Sequence, residues 1–159
     1  MNLRSLCTAR SYERGQAIME MALLVPVLLV LLLGMIEVGR YAAFSIEVAN
    51  SARAGADYGA QNAGTINNAA GIRNAAIAEA PDLKLTASNV ILTSPPYWCV
   101  CSNGAASTCL ATDCSTSHML TYVKVTVQDT FTGLFHYPAN LNSITVTQTA
   151  QVQAPSPLQ

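Results

Sequence analysis

Between Ala17 and Ile36 the chain has twenty residues with one ionisable side chain, Glu20. At about 1.5 Å per residue, a helix of that length crosses the roughly 30 Å hydrocarbon layer of a bilayer. The segment therefore reads as a membrane helix, and Glu20 as its exception. A carboxylate at the bilayer centre costs on the order of 3 kcal/mol even on lenient insertion scales, so Glu20 requires a partner. Cleavage between Gly15 and Gln16 would create an amine one helical turn away, about 6 Å along the axis. An ammonium and a carboxylate in a low-dielectric medium compensate each other, within one helix or between neighbours.

The flanks give the orientation. Arg4, Arg10 and Arg14 stand against a single acid, Glu13, ahead of the apolar run. Positive charge beside a membrane helix stays cytoplasmic, so the N-terminus is expected inside and the C-terminal part exported. The competing reading is a secretory signal cut near Tyr41-Ala42-Ala43. Such signals have apolar cores of about 7–15 residues, and this run is longer and ends in Glu37-Val38-Gly39-Arg40. Glu37 and Arg40, three apart, are placed to pair at the membrane boundary. Pro26, inside the run, removes one helical hydrogen bond and marks either a kink or a local melting point.

The order of these features carries a resemblance. A basic leader ending in Gly15, Glu20 as the fifth residue after it, and an apolar helix beginning at the cut resemble the type IV prepilin processing signal. Gln16 departs from the Phe usual there. Glu37-Val38-Gly39-Arg40 followed by Asn50-Ser51-Ala52-Arg53-Ala54-Gly55-Ala56-Asp57-Tyr58 resembles the TadE-like minor pseudopilins of the bacterial tight-adherence pilus, over about Arg14–Ala60. The resemblance implies a prepilin peptidase cutting between Gly15 and Gln16, other pseudopilins and inner-membrane pilus-assembly proteins as partners, and a pilus as destination.

Beyond the run, Phe44, Val48 and Ala52, and Ile46, Ala49, Arg53 and Ala56, recur at helical spacing. The helix is expected to continue outward with Glu47, Arg53 and Asp57 in solvent, and, weakened at its end by Gly55, Gly59 and Gly64, to break near Asn62–Thr65. Asn67–Ala80 reads as a short second helix stopped by Pro81. The period then shifts towards two: 83–86 with 89–93, 122–128, and 143–152 read as three strands of a small antiparallel sheet. One face of that sheet is apolar, and the outer half of the long helix is the nearest cover. The expected fold is α+β, a long transmembrane helix extended into a pilin-like domain. Its segments are a cytoplasmic leader (1–15), a transmembrane helix (16–39), the outer and second helices (40–80), and an exported β-rich domain (81–159).

Pro95-Pro96-Tyr97-Trp98 is expected to open a loop of about twenty residues, a length usually functional or cross-linked. It carries Cys99, Cys101, Cys109 and Cys114, whereas Cys7 lies in the leader. In an oxidising compartment four clustered cysteines read as two disulfides. A Cys99–Cys101 ring is too tight, which leaves two connectivities, with a four-cysteine zinc site as the competing reading. Tyr97 and Trp98 read equally as a contact surface or a local mini-core. The segment 130–142 reads as a hairpin connection or edge cover, and Pro155 and Pro157 as a frayed tail.

The composition excludes other classes. Only 11% of residues are charged and the net charge is -1, which offers no basic footprint for nucleic acid. His118 and His136 stand in no metal or catalytic motif, and there is no phosphate loop or nucleophile elbow. The reading is a structural, non-enzymatic subunit without cofactor or metal. The alternative is a signal-anchored periplasmic binding or adhesive module, uncut and unpolymerised. A third reading, an anchored hydrolase, needs His118 or His136 at a cleft.

Overall fold

A computed structural model describes the backbone of residues 4–110, 112–134 and 143–155, with side chains from Gly15 onward. The order is helix α1 (Arg4–Gly59), helix α2 (Ala69–Glu79), then strands β1 (Val90–Cys101), β2 (Ala106–Ser107), β3 (Met119–Thr132) and β4 (Ser143–Ala154). The chain divides into two units, 1–40 and 41–159.

In the first unit α1 is helical from Arg4, so it takes in residues 4–15 of the basic leader as well as the apolar run. Helix propagation adds one hydrogen bond per residue once nucleated, and a single Gly costs only about 1 kcal/mol, too little to break it. From Gly15 on, α1 is long and apolar enough to cross a membrane. Leu23, Val30 and Met35 are 70–73% exposed. A core helix of a soluble protein would have buried them, so this helix has the character of a single-pass anchor.

The second unit packs the outer part of α1 and α2 onto one face of an antiparallel sheet of order β2-β1-β3-β4. Val123, Val125 and Val127 of β3 alternate inward and are fully buried, the period-two pattern of a half-covered sheet. α1 presents Val48, Ala52 and Ala56, all fully buried, so small side chains bring it close to its neighbours. The sheet and α2 come close at Gly59, where a Cβ would lie 2.9 Å from Val123 Cγ1 and 3.1 Å from Ile72 Cδ1. Buried Ser51 donates its hydroxyl to the Ala76 carbonyl at 2.7 Å, tying α1 to α2. Arg53 and Asp57 are exposed as expected, but Glu47 is half-buried.

α2 starts where Asn68 Oδ1 accepts the Gly71 N–H at 2.9 Å, satisfying an otherwise orphan donor, and gives way to a 3-10 turn at Pro81–Leu83. Residues 83–86 are not strand. Asn89 accepts from the Thr86 N–H and hydroxyl and donates to the Gln128 carbonyl, and this side-chain chemistry turns the chain before β1 begins. β1 continues through Pro95-Pro96-Tyr97-Trp98, which sequence had placed in a loop. The register with β3 shifts between Leu92 and Tyr97, and that irregularity takes the prolines out of the ladder. In the segment 130–142, Thr130–Thr132 complete β3. Residues 135–142, with His136, and Pro157 lie outside the described residues.

Candidate functional site

Two groups of residues bear on function, one in each unit. In the first, Gly15 and Gln16 lie within continuous helix. Nothing comes within 4 Å of where a Gly15 Cβ would stand. Glu20 is exposed, and its carboxylate has no hydrogen bond or ion pair among the described residues. Gln16 precedes it by four residues, so the two share one helical face. The Gln16 nitrogen, however, is a peptide nitrogen in the uncut chain. Arg40 donates to Glu37 at 3.3 Å, on the i,i+3 spacing expected, with the Glu37 side chain 14% exposed.

In the second unit the four cysteines form Cys99–Cys109 and Cys101–Cys114, with Cα atoms 5.1 and 5.5 Å apart. This resolves the two connectivities left open and replaces the zinc reading. The loop they clamp has structure of its own: β2 pairs with β1 at Cys99 and Val100. Asp113, which the sequence reading passed over, organises the rest. Its Oδ2 accepts from the Thr108 N–H at 2.6 Å, the Thr108 hydroxyl at 2.8 Å, the Ser107 hydroxyl at 3.1 Å and the Leu110 N–H at 3.4 Å. The available signal was a Ser-Thr pair six and five residues ahead of an Asp, a local side-chain-to-backbone pattern.

Those donors favour the charged carboxylate. The Thr108 side chain and then its backbone, with Ser107 and Leu110, hold the Asp113 pKa below its usual 3.8 against a smaller opposing desolvation. A depressed folded-state pKa means the contribution is present above pH 3.8 and is lost as pH falls through the lower folded value. Asp113→Asn is expected to loosen residues 107–113 at neutral pH, and acid to do the same to the unaltered chain. Hydrogen exchange at the Thr108 and Leu110 amides checks this, with disulfides intact in both cases.

The aromatic pair divides. Tyr97 is half-buried beside the core, while Trp98 is 43% exposed on the opposite face and stacks on Tyr122 at 5.1 Å. The His118 side chain makes no hydrogen bond or ion pair among the described residues. No group of three His, Cys, Asp or Glu able to hold a metal occurs among those residues.

Residues 15–57 match the family model of TadE-like proteins. The match takes in Gly15, Gln16, Glu20, Glu37 and Arg40, and ends just short of the end of α1; the sheet and the cysteine loop lie beyond it. The match is consistent with a TadE-like protein of the tight-adherence pilus system. Neither the curated proteins nor the solved structures gave a match to this chain.

Proposed function

We propose that this TadE-like chain is a minor pseudopilin that is cut between Gly15 and Gln16 by a prepilin peptidase and then supports assembly of a tight-adherence pilus. Its role is structural. The observation that carries the reading is Glu20: an exposed, unpartnered carboxylate on an apolar helix, one turn from the peptide bond whose cleavage would supply an amine. The chain sits in the bacterial inner membrane, with its basic leader in the cytoplasm and the stapled domain outside. Its partners are the peptidase, other pseudopilins and the inner-membrane assembly proteins.

Because α1 runs unbroken through Gly15–Gln16, the peptidase must unwind about one turn there, and Gly15 without packing contacts makes this cheap. The test is the intact mass and N-terminal sequence of the membrane-derived protein, with and without a co-expressed prepilin peptidase. A chain starting at Gln16 only when the peptidase is present is the expected result. Retention of the leader would instead fit an anchored binding module using the face around Trp98, and a start after Ala43 would mark α1 as a secretion signal.

A further inference from the structure

The two disulfides differ in what surrounds them. Cys101 and Cys114 are 2% and 8% exposed, so that bond is shut away from solvent at both ends. Cys99 is 5% exposed, but its partner Cys109 is only half-buried. Thiol–disulfide exchange starts when a thiolate reaches a sulfur, so access selects the bond, and the end of it, at which exchange begins. Cys109 also has a φ of 66°, in the left-handed region that a residue with a Cβ occupies only at a cost. The Thr108 and Leu110 N–H groups on Asp113, and the Cys109 N–H on Ser107 Oγ at 3.0 Å, hold that turn. At the other end of the bond, Cys99 Sγ lies 3.8 Å from the hydroxyl of Thr121, which is fully buried. A disulfide sulfur carries no proton, so the hydroxyl is the donor. It makes no other hydrogen bond among the described residues.

The geometry points to Cys109 as a site of thiol–disulfide exchange with a protein dithiol, which makes Cys99–Cys109 a releasable latch on β2 and Cys101–Cys114 the lasting staple. A thiolate of the dithiol attacks Cys109 Sγ. Its sulfur bonds to Cys109 as the Cys99–Cys109 bond breaks, and the electron pair departs on Cys99. Thr121 donates to that thiolate until it takes up a proton; a hydrogen bond to the charged form makes a buried sulfur a workable leaving group. The second thiol of the dithiol then displaces Cys109 from the mixed disulfide. The loop has gained two electrons and two protons, and the dithiol has become a disulfide. Among the described residues β2 pairs with β1 at Cys99 and Val100 alone, a ladder too short to hold by itself once the latch is open. Its release uncovers the β1 edge at those two residues, while Cys101–Cys114 keeps the base of the loop in place. The exchange needs only the two disulfides and is independent of cleavage after Gly15.

The experiment uses the full chain in lipid nanodiscs, with Cys7 alkylated beforehand and dithiothreitol as the dithiol probe. Samples withdrawn over time are trapped with N-ethylmaleimide, and the labelled cysteines are mapped by mass. Cys99 and Cys109 are expected to be labelled at least about tenfold faster than Cys101 and Cys114. Glutathione, a monothiol, halts at the mixed disulfide and is expected on Cys109 rather than Cys99. In the half-reduced chain the amides of β2 are expected to exchange at least about tenfold faster, with those of β3 unchanged. Thr121→Val keeps the shape and loses the hydroxyl, and is expected to slow the opening at least about threefold. The proposal is overturned if all four cysteines are labelled together or Cys101 and Cys114 first, or if glutathione is found on Cys99. Continued protection of β2 in the half-reduced chain, or a Thr121→Val variant that opens as fast as the parent, overturns it too.

Discussion

Replacing Ile72 by Ala is expected to lower the stability of the exported unit by about 2–5 kcal/mol, the range for removing a large buried aliphatic side chain. Whole domains are stable by only about 5–15 kcal/mol, so the loss is a large share. Ile72 is fully buried on α2, and its Cδ1 and Cγ1 would lie 3.1 and 3.2 Å from a Cβ at Gly59. Truncation leaves a space that neither Gly59 nor Val123 can fill. The complementary change, Gly59→Val, overpacks the same point and is expected to cost about 1–3 kcal/mol. Because the two act on one volume, the double variant should lose less than their sum. Urea unfolding of the detergent-purified chain, followed by the near-ultraviolet signal of the aromatic residues, measures all three. Additive losses would mean that Ile72 and Gly59 do not share a contact.

That contact also shows where the sequence was readable. The apolar run and the valines of β3 carry their periods openly, and both elements fell where the pattern indicated. The helix–sheet contact depends on glycines whose spacing resembled a weakening helix end. A residue with no side chain gives the same sequence signal whether it frays a helix or admits a neighbour, so Gly55 and Gly59 were read for their propensity alone. β1 was misread for a related reason. Two prolines argue against an inner strand, but β1 is close to the sheet edge, and the register shift at Leu92/Tyr97 accommodates them. Asn89 and Asp113 were missed because each satisfies donors contributed by several residues, and no periodic pattern marks that role. The relative placement of Gly15, Gln16, Glu20, Glu37 and Arg40 was legible for the opposite reason: they lie on one helix, so their spacing in sequence is their spacing in space.

Glu20→Ala is expected to abolish pilus assembly while leaving cleavage after Gly15 intact. The substitution removes a penalty on the order of 3 kcal/mol for holding a carboxylate in the membrane. If Glu20 served only as part of an anchor, the variant would insert better and work at least as well. In the proposed function the carboxylate meets the amine created at Gln16, on its own helix or a neighbour's, and each charge then lowers the desolvation cost of the other. Loss of Glu20 leaves that amine alone among apolar side chains. A penalty of about 3 kcal/mol corresponds to roughly a hundredfold fall in the equilibrium for bringing subunits together. Glu20→Gln keeps the shape and removes the charge, so it should fail nearly as badly as Ala, while Glu20→Asp should retain part of the function. Pilus yield per cell, read beside the intact mass of the membrane-bound chain, separates an assembly defect from a processing defect. Full yield with Glu20→Ala, on a chain shown to start at Gln16, would remove the charge pairing from the mechanism and leave α1 as an anchor alone.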